Sequence, residues 1–213
     1  DLSGSKLTAD GGKGDATIDF TEANLTSAIL SGSEITANAG DDATIDLTAA
    51  NLADADLSGS EITANAGSYG DATIDFTAAN LADAILSGSE ITANARDDAT
   101  IDLTAANLAD ADLSGSEITA NAGSYGDATI DFTAANLANA NLSGSKITAD
   151  SNYYDATIDF TKANLANTDL SGSEFTANAA ADATIDFNEA NLTNADLSGS
   201  KITADSNYYD ATI

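Results

Sequence analysis

Cysteine, histidine, methionine, tryptophan and proline are all missing from this 213-residue sequence. Without cysteine there is no disulfide framework, and the chain is indifferent to the redox state of its compartment. Without histidine or cysteine, the commonest proton-transfer group and the most nucleophilic side chain are gone. Basic residues are scarce as well: Lys plus Arg number 6 against 35 Asp plus Glu, for a formal charge of -29. No basic patch exists to release counterions from a polyphosphate, so a nucleic-acid partner is excluded on charge. The same charge is hostile to an anionic membrane surface. No apolar run approaches the ~18 residues that a spanning helix needs, so no membrane insertion is expected.

What is present is repetition. An acidic, aromatic-poor composition can signal disorder, but here 43% of the residues are hydrophobic and they recur on a fixed pattern. The isoleucines of the recurring Ala-Thr-Ile motif are Ile18, Ile45, Ile74, Ile101, Ile130, Ile158, Ile185 and Ile213, at intervals of 27, 29, 27, 29, 28, 27 and 28 residues. Asp41 to Ala82 is identical to Asp97 to Ala138, a duplicated two-unit block with a 56-residue period. Such periods mark a solenoid in which each unit buries its apolar face on the next.

Within a unit the large apolar residues step by five: Phe20, Leu25, Leu30, Ile35; then Leu47, Leu52, Leu57, Ile62; and, further on, Phe160, Leu165, Leu170, Phe175. Two residues before many of them stands an alanine, such as Ala23, Ala28, Ala50 and Ala55. A period of five fits neither a helix nor a strand. It fits a chain that turns a corner every five residues and points the large and the small residue inward, with the other three positions outward. Ala-Asp-Leu-Ser-Gly at 55–59, 111–115 and 195–199 resembles the pentapeptide-repeat pattern, Ala-(Asp/Asn)-Leu-x-x. The resemblance covers roughly half of each unit and implies a right-handed, four-sided parallel β-helix. A family coil would use 20 residues, whereas these units need 27 to 29. The surplus alternates by twos: Ile62, Ala64, Ala66, then Ala72, Ile74, Phe76. That predicts two strands with one buried face, joined by turn residues such as Gly67-Ser68-Tyr69-Gly70. The expected fold is therefore all-β, a right-handed β-solenoid of about 7–8 rungs over residues 1–213, with pentapeptide corners and two longer strands per rung. A leucine-rich repeat has similar length but wants Leu at the Ala position and Asn or Cys at the Ser position.

Stacking turns each position into a column, and three sets of columns are candidates for function. Asp15, Asp42, Asp71, Asp98, Asp127, Asp155, Asp182 and Asp210 form one; Asp19, Asp46, Asp75, Asp102, Asp131, Asp159 and Asp186 form another. Carboxylates ~4.8 Å apart repel by about 1 kcal/mol in water, so these columns need hydrogen bonds, protonation or cations. The second is the candidate Ca²⁺ column, calcium being the one cofactor the chemistry suggests; hydrated surface Asp, or Asp closing turns on its own backbone, is the competing reading. The segment Gly11-Gly12-Lys13-Gly14-Asp15 resembles a calcium-binding nonapeptide but occurs once, with its Asp one position early. The second set is a Thr-x-Asn grid: Thr36 and Asn38, Thr63 and Asn65, Thr92 and Asn94, Thr119 and Asn121, Thr176 and Asn178. It is similar to the flat Thr arrays of ice-binding solenoids, although Asp10, Asp150 and Asp205 replace Asn in three rungs, and Asn ladders between rungs would equally explain it. The third set sets Glu34, Glu61, Glu90, Glu117 and Glu174 against Lys6, Lys146 and Lys201 and reads as a solvated face.

No residue set is singled out for catalysis, because Ser and Asp recur identically in every unit while an active site needs distinct partners in one pocket. The expected function is structural: an acidic rod of an extracellular or cell-surface filament, stalk or adhesin, stacking on itself head to tail. The sequence lacks an initiator methionine and starts and stops in mid-unit, at Asp1-Leu2-Ser3 and Ala211-Thr212-Ile213, which suggests a processed or excised piece of a longer array. Two other readings are kept: ice binding through the Thr-x-Asn face, and, by resemblance to pentapeptide-repeat proteins that mimic DNA, inhibition of DNA gyrase.

Overall fold

In the computed structural model, which describes residues 1–213, the chain winds into an all-β solenoid of about seven turns. Each rung contributes a long strand, such as Glu117–Ala122, and a short strand, such as Ala128–Asp131. The long strands form one eight-stranded parallel sheet and the short strands a second, each pairing only with its counterparts one rung away. Register is exact in sequence terms: Ile101 lies beside Ile130, Ile130 beside Ile158, and Asn94 beside Asn121.

Three pentapeptide corners complete the rung. In Phe76–Ala79, Leu81–Ala84 and Leu86–Ser89 the first carbonyl accepts the fourth N–H, at 2.9, 3.1 and 3.0 Å. The third residue of each corner, Ala78, Asp83 and Gly88, has φ of 55°, 58° and 64°, the signature of a type II turn. The left-handed conformation suits glycine, and to a lesser degree Asp or Asn, but costs an alanine about 1 kcal/mol. Ala49, Ala78, Ala105 and Ala134 nonetheless adopt it, because rung-to-rung bonds on both sides of the corner impose it. Leu81 N–H, for example, donates to the Asn107 carbonyl at 2.7 Å, and Asn80 N–H to Ala50 at 2.8 Å. Of 150 backbone hydrogen bonds, 98 lie outside the strands, so the coil is laced around its whole perimeter rather than along its sheets alone.

The five-step residues point inward as the spacing predicts: Leu52, Leu57, Leu108 and Leu113 are at most 1% exposed. Beside them Ala50, Ala55, Ala79 and Ala84 are fully buried. In the column of Ala55 and Ala84 the buried Thr168 takes the same place, its hydroxyl donating to the Leu137 carbonyl at 2.7 Å. The third corner departs from expectation. Its inner position is serine, and Ser60, Ser89, Ser116, Ser145 and Ser173 are buried rather than outward. In two of them the hydroxyl turns back on its own corner: Ser116 Oγ donates to the Leu113 carbonyl at 2.7 Å, and Ser173 does the same to Leu170. The hydroxyls of Ser60, Ser89 and Ser145 are buried without a partner. Like stacks on like in the aromatic positions too. Phe160 lies parallel to Phe132 at 4.7 Å and to Phe187 at 5.0 Å, with Phe175 edge-on at 5.8 Å.

The length variation between units is confined to the loops from long to short strand, four of which carry tyrosine: those of Tyr69, Tyr125, Tyr153–Tyr154 and Tyr208–Tyr209. Glycine at Gly70 and Gly126 is required by close approach: an added Cβ would land on the backbone of Asp41 or Asp97 in the rung before. Core packing yields a direct expectation. Leu108→Ala should cost about 2–5 kcal/mol, read as a lowered denaturation midpoint, with hydrogen exchange accelerating first in the rungs next to Leu108 because a repeat array loosens locally.

Candidate functional site

The candidate calcium column is a column of turn caps. Oδ1 of Asp19, Asp46, Asp75, Asp102, Asp131, Asp159 and Asp186 accepts the backbone N–H two residues on, at 2.6 to 2.8 Å. Each carboxylate thereby closes the turn that leads into the first corner. Asp19 is held below the usual carboxylate range by the hydroxyl and N–H of Thr21. Nowhere in the chain do three or more His, Cys, Asp or Glu side chains converge closely enough to hold an ion.

The other Asp column works between rungs. Asp15 Oδ1 accepts the N–H of Asp42, Asp42 that of Asp71, Asp71 that of Asp98, and so on through Asp127, Asp155 and Asp182 to Asp210, at 2.8 to 3.3 Å. A backbone dipole thus lies between successive charges. Asp71 nevertheless carries a raised pKa, because packed neighbours desolvate its otherwise exposed carboxyl and Asp98, Asp42 and Asp97 add like charge.

On the long-strand sheet, the amides of the Thr-x-Asn face are already paired with one another. Asn65 Nδ2 donates to Asn38, Asn94 to Asn65 and Asn121 to Asn94, at 2.8 to 2.9 Å. Thr36, Thr63 and Thr92 are only 7–9% exposed, beside the Glu column, while Thr119 and Thr176 are half-buried. A second amide ladder, Asn51 through Asn80, Asn107, Asn136 and Asn164 to Asn191, runs along the corners and was not anticipated. The Glu and Lys residues pair across rungs, Lys146 with Glu117 and Lys201 with Glu174 at 2.8 Å, and Lys6 with Glu34. All are exposed and worth well under about 1 kcal/mol each.

Concave surface is limited. A shallow groove of about 350 Å³ runs past Asp150, Asn152, Asn178 and Asn207, and another of about 360 Å³ lies among Tyr153, Tyr154, Ala181, Asp182 and Tyr209. Neither places a nucleophile beside a base and an oxyanion donor. The loop edge holds the residue that sequence reasoning passed over: Arg96, the one arginine, lies between the rings of Tyr69 and Tyr125 with its guanidinium carbon 5.1 and 4.9 Å from their centroids.

Known proteins bear on this architecture. The family model for pentapeptide repeats (8 copies) matches residues 185–203, one corner-to-strand arc of the coil described above. Over that arc the chain is similar to pentapeptide repeats, and its fold is an all-β parallel solenoid. Among solved structures it is similar to full-length QnrB1, a plasmid-mediated fluoroquinolone resistance protein, at 16% identity over 93% of this chain and 94% of that one, with a TM-score of 0.33. It is also similar to a pentapeptide repeat protein from the Arabidopsis thaliana thylakoid lumen, at 20% identity over 79% and 66% of the two chains and a TM-score of 0.26. A third is HetL, a pentapeptide repeat protein involved in heterocyst differentiation regulation from the cyanobacterium Nostoc sp. strain PCC 7120, at 20% identity over 94% and 86% and a TM-score of 0.21. The likeness is one of coil architecture, and nothing about activity follows from it. No curated protein matches the sequence.

The raised pKa of Asp71 gives this coil a pH signature. A carboxyl whose folded pKa is raised opposes folding while it is charged and ceases to do so as pH falls through that pKa. Asp71→Asn keeps the oxygen that accepts the Asp98 N–H and removes the charge. The variant should therefore melt ~1–3 °C higher than the parent at pH 7, and the two should converge as the pH approaches 3. Melting curves across that range check it.

Proposed function

We propose that this solenoid is a non-catalytic structural rod, a segment of an extracellular filament, stalk or adhesin that associates with further copies along its axis. The observation that supports the reading is the equivalence of rungs: in both sheets every strand pairs in register with its counterpart. Because the surface each rung offers above matches the surface it offers below, the array is complementary to itself along the axis. Two sheets, three Asn or Asp ladders and a close-packed interior make the rod stiff. Absence of cysteine and methionine leaves no side chain on the usual sulfur oxidation ladder, which suits an exposed setting.

The Thr-x-Asn face supports ice binding less well. Four of its five amides, Asn38 to Asn121, are engaged in the ladder, three of its threonines are nearly covered, and carboxylates of Asp150 and Asp205 interrupt the row. The DNA-mimic reading has the -29 charge in its favour and no further feature.

Association along the axis is measurable on the 213-residue chain, in which Leu7 and Ile213 are 45% and 68% exposed. Electron microscopy and light scattering should find rods of one uniform width that lengthen with protein concentration. The double variant Leu7→Lys, Ile213→Lys should stay short under the same conditions. A parent protein that remains a monodisperse monomer at high concentration would overturn the filament reading.

A further inference from the structure

All six tyrosines of the chain lie on one edge of the rod, in the loops between long and short strands, and are 47–81% exposed. Nothing in the core requires them. They stand in two arrangements of the same order, a tyrosine loop, a tight loop, and a second tyrosine loop, with one tyrosine per loop in the first and two in the second. Two rung steps of about 4.8 Å set the flanking loops ~9.6 Å apart, the spacing at which a planar group fits between two rings.

In the first arrangement the chain fills the slot itself. Arg96 comes from the tight loop, sits at 5.1 and 4.9 Å from Tyr69 and Tyr125, and donates from Nη1 to the Ser68 carbonyl at 3.1 Å. In the second, Asn178-Ala179-Ala180-Ala181-Asp182 matches Asn94-Ala95-Arg96-Asp97-Asp98 in length, so Ala180 stands where Arg96 stands in the first. Strand register agrees, with Asp150 beside Asn178 and Asn178 beside Asp205. The slot left open is bounded by Tyr153, Tyr154 and Tyr209, floored by Ala181 and Asp182, and measures about 360 Å³.

We propose that this open slot receives an arginine side chain from a basic segment of a different protein, held between tyrosine rings as Arg96 is held within the chain. A guanidinium is planar, stacks on aromatic faces and is less strongly hydrated than an ammonium, which favours arginine over lysine. The surrounding charge favours a cation: Asp182 lines the slot, Asp155 and Asp210 adjoin its tyrosine walls, and the chain carries -29. A second copy of the chain cannot supply the group, since its single arginine is already stacked.

The test is an NMR titration of the tyrosine ring resonances with the tripeptide amide Gly-Arg-Gly, its citrulline analogue, and maltose. The arginine peptide should give saturable shifts at Tyr153, Tyr154 and Tyr209 and leave Tyr69 and Tyr125 unmoved, with the citrulline analogue bound at least several-fold more weakly. Ala180→Arg should fill the slot from within and abolish the response. Arg96→Ala should open the first slot, so that Tyr69 and Tyr125 join and the number of sites doubles. No saturable shift, equal shifts at both tyrosine groups in the parent, or citrulline binding as tight as arginine would overturn the proposal. Maltose binding in place of arginine would overturn it in favour of a saccharide site.

Discussion

Parallel pairing of equivalent residues sets rungs about 4.8 Å apart, and each side chain must tolerate a copy of itself at that distance above and below. The composition of the coil follows from this condition. Isoleucine, leucine and phenylalanine satisfy it by dispersion and ring stacking, as in the Phe132, Phe160, Phe187 column. Asparagine satisfies it because an amide is both donor and acceptor, so Asn80 can accept from Asn107 while donating to Asn51. Alanine satisfies it at the bends, where Ala79 and Ala106 are fully buried.

Aspartate is the hard case, since like charges at rung spacing repel. Two solutions operate in neighbouring columns. In the Asp75 column each carboxylate turns toward its own backbone and caps the Thr77 N–H, taking no part in contacts with its copies. In the Asp71 column each carboxylate reaches across to the next rung's N–H, which interposes a dipole between charges without removing the repulsion among Asp42, Asp71 and Asp98. Basic residues contribute little by comparison, because the pairs Lys146–Glu117 and Lys201–Glu174 lie in solvent on a separate column.

The coil and its inward faces were legible in the sequence because burial is written in residue type. Leu108, Ile101 and Ala106 could face only one way, and the alternation through Ile62 and Ala64 gave both strands. Corner geometry was not legible: Ala105, next to the buried Ala106, is left-handed, a conformation that the alanine side chain does not announce. The buried Ser116 was hidden for a similar reason, since a small polar residue reads as surface until its Oγ is seen on the Leu113 carbonyl. The partnership of Arg96 with Tyr69 and Tyr125 depends on which loop lies above which, a relation that appears once rungs are stacked. The signal was present in the 56-residue period, which places those two tyrosines at equivalent positions on either side of the arginine.

The identity of Asp41–Ala82 with Asp97–Ala138 has a genetic consequence. Misaligned recombination between the two copies removes or adds 56 residues, which is two whole rungs and ~9.6 Å of length. The new joint sets Asp97 directly after Gly40, where Asp41 stood, so the crossover creates no sequence that the coil does not already accommodate. Both sheets close over the joint in their existing register, and the acidic columns lose or gain two members without a break. Length in such a protein is a quantity that inheritance can change in one event, while every surviving rung keeps its neighbours' chemistry.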